Sequence, residues 1–208
     1  MLRVLNTNAK RVAAATAIGL AAGAVGVLGV GQAAAEEAQP LAQKDITYSC
    51  ELPLIGTRDL VTSMSVNIPA TGTVGQPITA TDFNASVHVP SEIVDFYRAF
   101  GGVTVSGTAD AQSNITKGGA PFQTVDIPLT VPETPVPPTG ELVVPGVGDV
   151  PPVTPDSAGT YGVHAGNFNS TLSVKDGNGA DIVISPMSVS CTAPADAGAT
   201  RLGDVAVS

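Results

Sequence analysis

Two cysteines are the first residues whose type and spacing could do chemistry. Cys50 follows Tyr48 at an alternate position, and Cys191 follows Val189 in the same way. Alternate residues of a strand share a face, so both thiols are predicted to point into an apolar core. Residues 45–51 and 187–191 contain no basic side chain that would lower a thiol pKa, which argues against a catalytic cysteine.

A disulfide between Cys50 and Cys191 is the chemistry that this pair favours. Two inward cysteines in an exported chain are normally oxidised. The bridge would close a loop of about 140 residues, for which chain entropy predicts roughly 5 kcal/mol of stabilisation. The alternative is two free, buried and unreactive thiols.

Other residue types that perform catalysis or bind metals are sparse and separated. His88 and His164 lie in separate predicted strands with no carboxylate at motif spacing, so neither a zinc site nor a triad base is supported, and both are predicted at the surface. Asp176, Asn178 and Asp181 resemble the opening of a calcium loop, but the closing glutamate is missing and a hairpin turn is favoured. We therefore predict a non-enzymatic protein with no catalytic residues, no metal and no cofactor.

Residues 1–35 have the composition of a secretory signal peptide. Basic residues precede an uncharged run rich in Ala, Gly and Val, and Ala33–Ala35 provide a small-residue cleavage site. The run is long enough for a membrane anchor, but its small residues favour cleavage. We expect a secreted, extracellular protein with no membrane span after cleavage, either released or associated non-covalently with the cell wall.

The mature chain from Glu36 is strongly acidic. Three of the nine basic residues and none of the eighteen acidic residues lie in the leader, which leaves six basic and eighteen acidic residues and a formal charge of −12. An acidic surface without a basic stripe repels phosphate backbones, so nucleic acid is disfavoured as a partner. We expect an extracellular or cell-envelope partner of unknown identity.

Short strands with alternating apolar residues must position these side chains. The clearest strand places five residues at one parity: Leu60, Thr62, Met64, Val66 and Ile68. Abundant Val, Thr, Gly and Pro favour strands and turns over helices. The pattern predicts an all-β domain over residues 45–194.

The limits of this domain follow from composition. Segment 36–44 and the tail 195–208 are predicted to be flexible. Nine prolines fall between Pro128 and Pro155. Because proline cannot donate to a ladder, residues 128–155 are predicted to form an edge strand or a connection.

One convincing helix is predicted in the mature chain, over residues 92–100. Ile93, Phe96, Tyr97 and Phe100 fall at helical spacing on one face. The simpler interpretation is a plug that closes one end of the sheets. The alternative is a lid over an apolar cavity, which makes these four residues a candidate apolar ligand face.

Several stretches resemble a family of exported actinobacterial proteins of unknown function. They are residues 48–56 (YSCELPLIG), 68–75 (IPATGTVG), 105–109 (VSGTA), 131–137 (VPETPVP) and 191–194 (CTAP). The resemblance covers nearly all of the mature chain and carries no assigned chemistry. It implies an immunoglobulin-like β-sandwich, although the cysteine spacing and the absence of tryptophan depart from the antibody pattern.

Two functions fit these observations. The first is a secreted, non-enzymatic interaction or structural β-sandwich protein at the cell surface, which is indicated by the leader, the edge-rich strands and the lack of catalytic groups. The alternative is a carrier of an apolar, lipid-like ligand bound in the sandwich under the 92–100 helix, which is indicated by the concentration of aromatic residues in that helix.

Overall fold

The structure, a computed structural model, describes residues 42–208, and the predicted signal peptide at 1–35 lies outside this range. The elements in chain order are β1 (Ala42–Leu52), β2 (Gly56–Asn67), β3 (Thr71–Gly72), β4 (Thr81–Val89), α1 (Ser91–Ala99), β5 (Thr104–Lys117), β6 (Ala120–Pro135), β7 (Leu142–Val147), β8 (Gly159–Lys175), β9 (Met187–Thr192), α2 (Ala197–Thr200) and β10 (Arg201–Val207). Strands dominate, so the all-β prediction is confirmed.

Eight of these strands close into a barrel. The strands are hydrogen-bonded in the order β8, β5, β6, β7, β4, β2, β1, β9, and β9 then pairs back with β8. The strands β10 and β3 extend the sheet outside this ring, beyond β8. The predicted immunoglobulin-like sandwich does not form, because one continuous sheet closes on itself where two facing sheets were expected.

Closure depends on the length of β8. Gly159–His164 pair with β10, whereas Phe168–Leu172 pair with β9, and β5 runs along the other side of the same strand. The first half of β8 therefore carries the outer strands and its second half completes the ring. Alternation along single strands assigns side chains to faces but does not say which strands become neighbours, so it could not separate a barrel from a sandwich.

Alternating side chains fill the interior. In β6 the residues Val125, Ile127, Leu129 and Val131 are buried, while the residues between them are exposed. The hairpin between β5 and β6 turns at Gly118 and Gly119, both at positive φ, a backbone region that glycine adopts without steric cost.

The proline-rich segment is part of the ring and does not form an outer edge. Its first part ends β6 and its middle forms β7. The strand β6 pairs with β5 along most of its length, but it meets β7 at one residue pair, Thr130 with Val147. We call this contact the β6–β7 seam. The missing N–H groups of proline are consistent with a ring that is weakly bonded at this place.

Both segments predicted as flexible contain regular structure within the described range. Lys44 lies in β1, and its Nζ donates to the carbonyl oxygens of Gly198 and Arg201 at 2.6 and 3.1 Å. The tail forms α2 and β10, in which Val205 and Val207 are buried. The predicted flexibility of the tail is wrong, because Val205 and Val207 alternate on the buried face of one more strand, which pairs with β8. No helix within residues 42–208 is long and apolar enough to cross a membrane.

Candidate functional site: the barrel interior

An apolar cavity of about 90 Å³ lies inside one end of the barrel; we call it the helix-end cavity. All eight strands of the ring contribute to its wall. One lining residue from each strand, in chain order, is Leu52, Leu60, Val87, Val105, Leu129, Leu142, Leu172 and Val189. These residues belong to the end of the barrel where β4 leads into α1. Among the described residues, no Lys, Arg, His, Asp or Glu lines this space.

Thr62 places a polar group in this apolar wall. Its side chain is 1% exposed, and its Oγ1 atom is the one buried side-chain nitrogen or oxygen in residues 42–208 without a hydrogen-bond partner. A buried hydroxyl left unsatisfied costs about 1–3 kcal/mol. The inward parity of Thr62 is visible in the sequence, but its lack of a partner depends on which strands surround it.

The helix α1 supplies one residue to the cavity wall. Of the predicted ligand face, Tyr97 lines the cavity. Ile93 is buried but does not line the cavity, and Phe96 is half-buried. Phe100 is 40% exposed and stacks edge-to-face on Phe96, with ring centroids 5.1 Å apart. The helix covers this end of the barrel, but the predicted four-residue face is reduced to Tyr97 at the cavity itself.

Burial also raises the pKa values of two tyrosines in the interior. Desolvation raises the pKa of Tyr97 to about 12, and it raises the pKa of Tyr48 to the same value. The Tyr48 hydroxyl donates to the carbonyl oxygen of Gly166 at 3.1 Å. Both phenols therefore stay neutral at physiological pH and add no charge to the interior.

The predicted cysteine pair is confirmed. Cys50 and Cys191 face each other directly in β1 and β9 and form a disulfide. The strand β9 pairs with β1 over three residues, Ser190–Thr192, so the covalent bond fastens a short contact in the ring. Cys191 also lines the helix-end cavity, so the disulfide is part of the cavity wall.

A second cluster lies on the outer face of the same wall. Ser63 Oγ is 3.0 Å from His88 Nε2, and His88 Nδ1 contacts Glu141 Oε1. These atoms have the connectivity of a serine–histidine–carboxylate triad. They border an open groove of about 440 Å³ that Asp45 and Asp59 also line. The sequence does not reveal this cluster, because it joins residues from β2, β4 and the segment before β7.

The surroundings of Ser63 do not suit acyl transfer. Its hydroxyl donates to Asp45 Oδ1 at 2.6 Å, so the proton that a histidine base would remove is held by a carboxylate. Ser63 also lies in the middle of a strand that is paired on both sides, and none of the described residues that line the groove is Lys, Arg, Asn or Gln, the cationic and amide side chains that could stabilise an oxyanion. Carboxylates around the groove would oppose the developing negative charge.

The remaining candidate residues have structural environments. Asp176 Oδ1 accepts from the backbone N–H groups of Asn178 and Ala180 at 2.8 and 3.0 Å, which is the predicted hairpin turn. His164 is buried rather than at the surface, and its Nδ1 lies 3.2 Å from the carbonyl oxygen of Ala197, because α2 covers it. No group of three or more His, Cys, Asp or Glu side chains in residues 42–208 is placed to hold a metal ion.

Comparison with known proteins gives one match. The model of a family of unknown function, DUF6801, matches residues 47–202, which spans nearly all of the barrel. Neither the curated proteins nor the solved structures include a match to this chain.

Proposed function

We propose that this chain, which belongs to the family of unknown function DUF6801, carries an apolar ligand inside its barrel. The observation that carries the proposal is the helix-end cavity with the unpartnered hydroxyl of Thr62 in its wall. Binding sites for small molecules are mostly apolar, with a few placed polar groups that orient the ligand. A buried hydroxyl without a partner is such a group when a ligand supplies the missing hydrogen bond.

The proposal includes export. The disulfide at Cys50–Cys191 supports an oxidising compartment, and a carrier outside the cell gives an apolar compound a route through water. The actinobacterial origin and the hypothesis of an interaction or structural protein at the cell surface stay predictions, and no contact among the described residues favours a particular protein partner.

Binding tests use the full mature chain with its disulfide intact. We expect dodecanol, added to the protein after organic extraction, to appear as a non-covalent mass in native mass spectrometry and to raise the melting temperature. Naphthalene serves as a second, bulkier apolar probe. The variant Ala109→Leu adds bulk to the cavity wall, since Ala109 lines the space. We expect it to reduce ligand retention by about tenfold, which corresponds to the burial of about two methyl or methylene groups.

The matched control is Ala206→Leu, the same substitution at an exposed position of β10 outside the ring. It should bind like the wild type, with both variants checked for native circular dichroism. If the wild type binds neither dodecanol nor naphthalene, the carrier function is overturned. Equal binding by the wild type and a folded Ala109→Leu variant would place the ligand outside the cavity and overturn it as well.

A further inference from the structure

Three apolar cavities lie in sequence along the barrel. Beyond the helix-end cavity, a middle cavity of about 40 Å³ is bordered by Val66 and Ala165. A far-end cavity of about 60 Å³ follows, bordered by Ile115 and Val125. Residues 115 and 125 flank the β5–β6 turn, which is at the opposite end of the barrel from α1.

The inward residues of β2 show the order of these spaces. Leu60 and Thr62 line the helix-end cavity, Val66 lines the middle cavity, and Ile68 lines the middle and far-end cavities. Four residues border both of the first two cavities and therefore lie between them: Met64, Phe83, Ala111 and Phe168. From Thr62 to Ile68 the strand rises about 20 Å.

We infer that the ligand is a single neutral, unbranched chain with one hydroxyl or carbonyl group, which binds Thr62 and extends through the barrel toward Ile68. This inference rests on the proposed carrier function and specifies its ligand. Each cavity is smaller than the roughly 150 Å³ space that holds benzene in an engineered protein core, so a compact ring fits none of them as they stand. A narrow chain can occupy all three once Met64 and Phe83 change rotamer, and methionine adapts readily to such changes.

The polar end of the ligand is neutral because the interior offers nothing to balance a charge. Among the described residues, none of the three cavity walls contains a charged side chain, and burial of an unpaired carboxylate is very costly. The three hydroxyl groups that line the middle and far-end cavities are already bonded: Ser113 Oγ donates to the carbonyl oxygen of His164, the Tyr48 hydroxyl donates to the carbonyl oxygen of Gly166, and the Tyr161 hydroxyl donates to Asp156. Thr62 Oγ1 can donate or accept, so a hydroxyl or a carbonyl satisfies it.

The test compares octanol, dodecanol and hexadecanol with dodecane, dodecanoate and naphthalene on the mature protein, with native mass spectrometry and melting temperature as readouts. We expect affinity to rise by up to about fourfold for each methylene group that the path accommodates. Dodecanol should bind better than dodecanoate and naphthalene. Thr62→Val should reduce the dodecanol-to-dodecane affinity ratio by about three- to tenfold, and Thr62→Ser should retain it.

The variant Ala80→Leu tests whether the chain runs through the barrel. Ala80 borders the middle and far-end cavities and lies outside the regular strands, so a larger side chain there should block hexadecanol and leave octanol unaffected. Ala206→Leu is the exterior control. Affinity that does not depend on chain length in the wild type, or preference for naphthalene or dodecanoate, would overturn the linear neutral ligand and leave the carrier function standing. Binding of none of the six compounds would overturn both.

Discussion

Thr62 and Ser63 are neighbours in β2 whose side chains face opposite sides of one wall. Thr62 faces the apolar interior without a partner, whereas Ser63 faces solvent within a network of carboxylates and a histidine. Strand alternation alone separates these environments. The Thr62 hydroxyl is therefore free to bind the proposed ligand, whereas the Ser63 hydroxyl already donates to Asp45.

Thr62→Val should stabilise the empty protein. Valine has nearly the same shape as threonine and removes the unsatisfied hydroxyl, so we expect the free energy of unfolding to rise by about 1–3 kcal/mol. Urea denaturation of ligand-free protein measures this change, with Thr62→Ser as the variant that keeps the hydroxyl. A Thr62→Val variant less stable than the wild type would show that the hydroxyl has a partner inside the barrel.

Ser63 should not react as a catalytic nucleophile. The Ser63 hydroxyl donates its hydrogen bond to Asp45, whereas a fluorophosphonate probe reacts with serines that a base activates. We expect no labelling of the mature protein by such a probe and the same slow ester hydrolysis by the wild type and Ser63→Ala. Labelling that disappears in Ser63→Ala would assign catalysis to the outer groove.

Tyr48 and Tyr97 should make stability fall at alkaline pH. Their pKa values are about 12 in the folded protein, against about 10 when exposed. Between these values the unfolded chain loses protons that the folded protein keeps. Their contribution is complete below pH 10 and declines by up to about 1.4 kcal/mol per pH unit for each tyrosine above it. Urea midpoints across this range should fall less steeply in Tyr48→Phe/Tyr97→Phe; an unchanged slope would contradict the assignment.

At the scale of elements, we expect the barrel to open most easily at the β6–β7 seam. The strand β7 bonds to β4 over six residue pairs but to β6 at Thr130 and Val147 alone. Leu129 and Val144, on either side of the seam, both line the helix-end cavity. Local opening requires few hydrogen bonds to break there, so we expect the proposed ligand to enter at the seam without unfolding of the ring.

A disulfide across this seam should slow ligand exchange. We expect Thr130→Cys/Val147→Cys, once oxidised, to reduce the exchange rate of bound dodecanol by at least about tenfold, because opening must then occur elsewhere. Thr108→Cys/Thr130→Cys is the matched control, since Thr108 faces Thr130 across the long β5–β6 ladder. Exchange rates measured by competition against deuterated dodecanol distinguish the two variants. Equal rates in both would place the entrance at another part of the barrel.

Particular elements show what the sequence could predict. The alternation from Leu60 to Ile68 correctly identified the inward face of β2, and the 92–100 helix lies within one residue of α1 (Ser91–Ala99). These features depend on local periodicity. The outer cluster depends on register, since Ser63 and His88 come together only when β2 pairs with β4 and Glu141 precedes β7. Periodicity does not specify register between distant strands.

At the scale of the whole molecule, ring closure joins distant parts of the chain. The strand β9 forms the last link, between β8 and β1, and it has only six residues. Its disulfide to β1 spans 141 positions in sequence. In an antibody-type sandwich such a bond joins two facing sheets, whereas in this barrel the bond joins two adjacent strands of one sheet.

Removal of the disulfide should therefore open the ring at β9 before other parts of the barrel. We expect Cys50→Ala/Cys191→Ala to lose about 2–5 kcal/mol of stability, since the unfolded chain regains the entropy of a long loop. In native-state hydrogen exchange, the amides of β9 should lose more protection than those of the β5–β6 hairpin, which has an extensive ladder of its own. Ligand retention should fall in parallel, because Met187, Val189 and Cys191 line the helix-end cavity. A uniform loss of protection across all strands would instead indicate that the bond acts through the unfolded state alone and that β9 stays closed without it.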